Sequence, residues 1–214
     1  MSAASSLAGV EKRVLNSIHD RAVFRRRVRV LSEAVAAELG ETGSVLDLGC
    51  GDGSIAMAIM ERKPGLAFRG IDVLVRPHTQ IPVELFDGQS IPAADQSVDW
   101  VTIVDVLHHT DDPGRLVAEA ARVARRGVVI KDHLREGFAA RETLRLMDWV
   151  GNKGHDVRLP YNYLSRSEWT AIFAEAGVVP QSWREQLSLY PFPASLLFDR
   201  SLHFLARLAA SPVR

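Results

Sequence analysis

One stretch constrains this chain more than any other. Ser44-Val45-Leu46-Asp47-Leu48 runs straight into Gly49-Cys50-Gly51-Asp52-Gly53, and residues 55–63 then read as a helix. A short apolar run that stops in glycines and restarts as a helix is a strand–turn–helix unit. Glycine lets the backbone turn tightly and lets another group approach without a Cβ in the way. The helix behind the turn offers unpaired N–H groups and the positive end of its dipole. Such a unit belongs to a sheet of parallel strands joined by helical crossovers. The chain supplies the remaining parts, with strands expected at 68–73, 83–86, 99–104 and 128–130. A helix is expected at 112–126, opened by Asp112 as a cap and Pro113 in its first turn and closed by Gly127.

The flanks read differently. Residues 7–40 suggest two helices, the second over 21–39 and stopped by Gly40. Further helices are expected at 139–150 and 168–176, and two closing strands at 178–186 and 202–208. An apolar connection over 187–201 and an aromatic loop at 159–163 interrupt this last third. With 214 residues, 47% of them hydrophobic, a single domain with a full core is expected over 1–214. Within it, 1–40 form N-terminal helices, and 134–165 and 187–201 are substrate-side insertions. The formal net charge of zero argues against wholesale nucleic-acid binding, and the one cysteine rules out an internal disulfide and a Cys-rich zinc site. No stretch approaches the roughly 18 apolar residues of a membrane span, and the N-terminus does not read as a signal peptide. A cytoplasmic protein is the expectation; the oligomeric state is left open.

The loop departs from the dinucleotide fingerprint G-x-G-x-x-G, because its glycines stand at 49, 51 and 53 and position 54 is serine. Asp47 lies just before it, where a carboxylate would repel a pyrophosphate but would suit a ligand carrying an ammonium and a sulfonium. The next strand ends in Gly70-Ile71-Asp72, the third in Phe86-Asp87-Gly88 and the fourth in Val104-Asp105-Val106-Leu107-His108-His109. Parallel strands bring these ends to one edge, where open α/β sheets bind ligands. Successive acidic groups after a glycine loop describe a nucleoside site without a phosphate clamp.

These residues, together with Ile91-Pro92 and Asp99, resemble the Rossmann-like, class I S-adenosylmethionine-dependent methyltransferases over roughly residues 40–132. Within that family the chain is similar to the small-molecule group that includes the ubiquinone and menaquinone C-methyltransferases. The resemblance implies an α/β three-layer sandwich: a mostly parallel seven-stranded sheet with an antiparallel last strand. It implies S-adenosyl-L-methionine as cofactor, with the loop (Gly49, Cys50, Gly51, Gly53) holding the methionine moiety and ribose. Asp72, with Val73 beside it, would bind the ribose hydroxyls; Asp87, with Gly88, the adenine amine; Asp105 and Val106 would line the methionine side. Cys50 is expected to be a small filler, not a reactive thiol.

The expected reaction moves a methyl group to O, N, C or S of a small, partly apolar acceptor. Where a general base is needed, His133 is the first candidate and His108 or His109 the second; Asp148, Trp149, Asn152 and His155 are further pocket candidates. Asp105, Asp132 and His133 are raw material for a divalent metal, but a definite ligand spacing is missing and no metal is expected. The arginines at 21, 25, 26, 27 and 29 read as a solvated helix face. Rival readings are a cofactor-holding module or partner subunit without turnover, a nicotinamide oxidoreductase, and an RNA or protein methyltransferase.

Overall fold

The computed structural model describes residues 23–151 and 162–210. At its centre lies a sheet of seven strands: β1 (Thr42–Leu48), β2 (Gly65–Asp72), β3 (Val83–Leu85), β4 (Val98–Val104), β5 (Ala124–His133), β6 (Val178–Arg184) and β7 (His203–Ala210). Their spatial order is β3-β2-β1-β4-β5-β7-β6. The first five pair in parallel, and β7 runs antiparallel to both β5 and β6. Around the sheet stand α1 (23–38), α2 (Ser54–Arg62), α3 (Pro113–Val123), α4 (Ala140–Gly151), α5 (Arg166–Glu175) and the short α6 (Ser195–Phe198).

Side chains alternate across each strand, and both faces are covered. On β5 and β7, Val128, Ile130, Phe204 and Ala206 face one core with Leu116, Val117 and Ala120 of α3 and Trp169 and Phe173 of α5. Val129 and Leu205 face the other, with Leu31 and Val35 of α1 and Ala56 and Ile59 of α2. This is the three-layer sandwich, and it explains why the central strands read as continuous apolar runs. The caps expected from sequence are in place: the Asp112 side chain accepts the Arg115 N–H, and Ser165 with Glu168 forms a capping box on α5.

Both ends of β5 differ from the sequence reading. Helix α3 ends at Val123, and residues 124–126, expected to be helical, open β5 instead, with Ala124 paired to Val98. At its other end β5 continues through Lys131, Asp132 and His133, because β7 offers them a ladder from Leu205 back to His203. Pairing across the sheet, which local sequence does not report, decides both. The first expected helix, most of the aromatic loop, Asn152 and His155 lie outside the described residues, as do the side chains of Asp148 and Trp149. No helix among the described residues is long and apolar enough to cross a membrane.

Gly127 lies where the β7 backbone crowds β5. Its φ is +156°, and a Cβ there would stand 2.4 Å from the Leu208 carbonyl oxygen and 3.2 Å from the Trp100 ring. Gly127→Ala is therefore expected to lower stability by about 1–3 kcal/mol, the usual cost of overpacking. Urea denaturation reads this directly; an unchanged midpoint would show that the strands can part there without penalty.

Candidate functional site

The winding of the sheet reverses at β1, which has β2 on one side and β4 on the other. The carboxyl ends of these strands open into a crevice, as expected at a topological switch point. Gly49, Gly51 and Gly53 all have positive φ, at 68°, 60° and 76°. Gly49 also needs the missing Cβ for space, since one would lie 2.5 Å from Val106 Cγ2. The Gly49 N–H bonds the Ile71 carbonyl at 2.8 Å, tying the loop to the end of β2.

Three carboxylates line this side. Asp72 Oδ2 accepts the Gly51 N–H at 2.8 Å and Oδ1 accepts the Leu74 N–H at 3.0 Å. Each oxygen keeps a further lone pair for a hydroxyl donor. Asp87 Oδ1 accepts the N–H groups of Ser90 and Gln89, which hold this exposed carboxyl below its usual range. Its Oδ2 has no hydrogen-bond partner among the described residues. Asp47 is buried and accepts the Thr102 hydroxyl at 2.6 Å. Burial first, and the nearby Asp72 charge in addition, push its pKa up to about 7. Val73 is 61% exposed and approaches Gly88, whose added Cβ would lie 3.2 Å from Val73 Cγ1. These two residues bring the ends of β2 and β3 together with an apolar surface. Cys50 fills the space over Gly70, and burial and the two aspartates push its thiol up to about 12.

On the other side of the crevice the ends of β4, β5 and β7 hold a second polar group. Asp105, at φ +57°, is paired with the buried Lys131 and, at 2.5 Å, with Arg27 of α1. Burial opposes its ionisation, but these two cations hold it well below the usual carboxylate range. Lys131 Nζ also lies 3.3 Å from His203 Nδ1. Asp132 is fully buried and accepts three donors: the backbone N–H of Leu107 at 2.8 Å, the backbone N–H of His133 at 2.6 Å and His108 Nδ1 at 2.6 Å. An acceptor-only carboxylate at Nδ1 places the His108 proton there and leaves Nε2 as the basic nitrogen.

The rings of His109 and His133 lie 3.9 and 4.2 Å from that of His108, and His203 lies 5.1 Å from His133. Burial foremost, and then positive charge at His108, lowers His109 to about 4. Burial likewise holds His133 and His203 well below the ordinary histidine value. The three are neutral imidazoles at physiological pH.

The sequence grouping of Asp105 with Asp132 and His133 is therefore corrected. Asp105 is committed to Lys131 and Arg27, and the ligand-type atoms that converge within 4.8 Å of one another belong to His108, Asp132 and His133. The reading of the arginines as a solvated face is corrected for two of them. Arg27 reaches Asp105, and Arg26 donates to the carbonyls of Leu189 and Ser188. Sequence reasoning missed Arg27 and His203. No local signal marks either, although His203 opens the strand that pairs with His133.

The groups at the crevice fit a cationic nucleoside: a buried carboxyl, a second carboxylate with unused lone pairs at β2, a third at β3 and a glycine turn opening on a helix. Residues 18–182 match the family model described as a methyltransferase domain. The chain belongs to that methyltransferase family. Methyltransferase GfsG of Streptomyces halstedii is 28% identical over 135 residues, covering 50% of this chain and 48% of that protein. The chain spans 31% and 48% of the lengths of the two curated relatives it matches. Among solved structures, an S-adenosylmethionine-dependent methyltransferase from Mesorhizobium loti superposes with a TM-score of 0.62 at 18% identity, over 82% of this chain and 95% of that one. The Burkholderia thailandensis 1,6-didemethyltoxoflavin-N1-methyltransferase, bound to its substrate and S-adenosylhomocysteine, gives 0.60 at 19% identity over 99% and 91%. At these identities the structures show a common fold.

Asp47 generates a prediction with a defined sign. Its carboxyl rises from 3.8 to about 7 on folding. Between those values the native state keeps a proton that the unfolded chain releases, so stability falls as pH rises to about 7 and levels off above it. Asp47→Asn should raise the melting temperature, with a larger gain at pH 8 than at pH 5, while weakening S-adenosylmethionine binding. Melting curves at the two pH values check this; a gain independent of pH would contradict it.

Proposed function

We propose that this domain transfers the methyl group of S-adenosylmethionine to a small, partly apolar acceptor whose nucleophilic atom carries a weakly acidic proton, a phenolic or enolic hydroxyl foremost. The observation that carries this reading is the buried His108–Asp132 pair at 2.6 Å, at the ends of the strands next to the glycine loop. Bound S-adenosylmethionine supplies an already activated methyl group, so the protein's task is alignment and exclusion of water. Asp72 takes the ribose hydroxyls, Asp87 the adenine amine, and Asp47 faces the positive charge. His108 Nε2 accepts the acceptor's proton as the new bond to the methyl carbon forms. Asp132 acts through His108 as a positioning residue: it fixes the tautomer and stabilises the imidazolium.

His108 replaces His133 as the preferred base, because Asp132 bonds the backbone N–H of His133 and its ring Nδ1 stands 3.8 Å away. His133 and Tyr163, 5.7 Å apart between ring centroids, then serve as walls. The connection at 187–201 is a cover on the acceptor side of the single domain. Its Tyr190 stacks 6.1 Å from His203, and Asp199 folds it back by accepting the Leu189 and Tyr190 N–H groups. Phe192 and Leu196 remain exposed on it, which suits an apolar acceptor. A cytoplasmic setting accords with this chemistry.

The test uses S-adenosylmethionine labelled in its methyl group and a panel of small phenols and enols. His108→Gln should keep S-adenosylhomocysteine binding and lose about 10²-fold or more in turnover. Asp72→Ala should weaken binding at least about tenfold, the worth of hydrogen bonds to a charged group. Unchanged turnover in the first variant would remove His108 as base, and unchanged affinity in the second would remove Asp72 from the cofactor site.

A further inference from the structure

His203 is a buried histidine with no part in the proton transfer at His108. It opens β7 in register with His133, the last residue of β5, so its ring stands at the edge where the parallel strands end. Residues directly opposite in an antiparallel ladder share a face, and Lys131, two residues before His133, lies on that face too. Lys131 Nζ pairs with Asp105 and lies 3.3 Å from His203 Nδ1. An ammonium group has donors only, so Nδ1 accepts and this neutral ring carries its proton on Nε2. That N–H is buried and has no hydrogen-bond partner among the described residues. A buried donor without an acceptor is costly, and an oxygen atom of a ligand removes the cost. His108 is the opposite case: Asp132 takes its Nδ1–H and leaves Nε2 basic. The ring of His133 neighbours both, 4.2 Å from His108 and 5.1 Å from His203. Tyr190 of the apolar connection stacks on His203 at 6.1 Å. One imidazole of this group accepts a proton and another donates a hydrogen bond, each with its tautomer fixed by a charged neighbour.

We propose that the acceptor is a conjugated hydroxy-carbonyl compound, an enolised 1,3-dicarbonyl or a 2-acylphenol, and that His203 Nε2–H holds its carbonyl oxygen. This rests on the methyl-transfer reading and narrows its acceptor. As His108 Nε2 takes the hydroxyl proton, the electron pair left behind spreads through the conjugated system onto the carbonyl oxygen. The hydroxyl oxygen bonds the methyl carbon, the carbon–sulfur bond breaks and its electron pair stays on sulfur, giving S-adenosylhomocysteine. The hydrogen bond from His203 is strongest while the carbonyl oxygen carries charge, and a contact of that kind lowers the barrier. Lys131 acts through His203 as a positioning residue: it fixes the tautomer, and its charge polarises the ring so that Nε2–H is a better donor.

The experiment gives the full chain methyl-labelled S-adenosylmethionine and two matched probes: 2-acetylphenol, and 2-ethylphenol, which lacks the carbonyl oxygen. Wild-type kcat/KM should favour 2-acetylphenol by about tenfold or more, the worth of a hydrogen bond to a charged group. His203→Phe keeps the bulk of the ring and should cut that preference to under about threefold by lowering turnover of 2-acetylphenol alone. His203→Gln, whose amide N–H can stand in for Nε2–H, should restore part of it. A preference that survives in His203→Phe comes from the probe's own acidity and would overturn the proposal, as would equal losses with both probes. The protein without ligand gives a second readout, whether or not the variants fold. In a nitrogen–proton correlation spectrum of its histidines, His203, assigned through its contact with the Tyr190 ring, should carry its proton on Nε2; a proton on Nδ1 would overturn the proposal. Wild-type turnover as fast with 2-ethylphenol, or confined to phenols and enols without a conjugated carbonyl, would also overturn it and leave the methyl-transfer reading standing. No turnover of any phenol or enol would overturn both.

Discussion

The approach of Gly49 to Val106 is the contact on which the site depends. The two residues follow β1 and β4, neighbours in the sheet but far apart in sequence, and a single methyl group on Gly49 would stand 2.5 Å from a valine carbon. Closing that gap brings the two halves of the crevice together. On one side are the carboxylates of β1, β2 and β3; on the other are the Asp105, Asp132 and histidine groups of β4 and β5. The reversal of winding at β1 creates the opening, and the close approach sets what faces what across it.

Asp132 organises one side of the crevice as Gly49 organises the other. A fully buried carboxylate is costly unless its lone pairs are used, and here three N–H donors use them. Two of these donors lie in the turn after β4 and one in β5, so the same ion holds strand ends together and orients an imidazole. Trp169 of α5 adds to this by donating its indole N–H to the His133 carbonyl at 3.2 Å. The group that must be satisfied for folding is the one that gives His108 its tautomer.

The N-terminal helix couples the two sides. Adjacent arginines on α1 reach in different directions, Arg27 to Asp105 at the crevice and Arg26 to the carbonyls of Ser188 and Leu189 on the apolar connection. A segment that composition marks as a charged surface is thereby tied both to the crevice and to the apolar connection.

Much of this was legible in the residues themselves. The glycine spacing, the strand-end carboxylates Asp47, Asp72, Asp87 and Asp105, the alternation of strand and helix and the capping residues are local signals. They follow from what a short stretch of backbone can adopt and from the side chains it carries, and the seven strands and the cofactor class come from them. What tertiary structure alone decided was partnership. Arg27 with Asp105, His108 in place of His133 on Asp132, and His203 beside Lys131 join residues from different elements. So does the extension of β5 through His133, which exists because β7 lies alongside. Residues 27 to 203 are spanned by these pairings, and a charge or ring nitrogen has no sequence signature for the group it will meet after the chain has crossed the sheet. Local geometry is written in neighbouring residues; the choice of partner is made by packing.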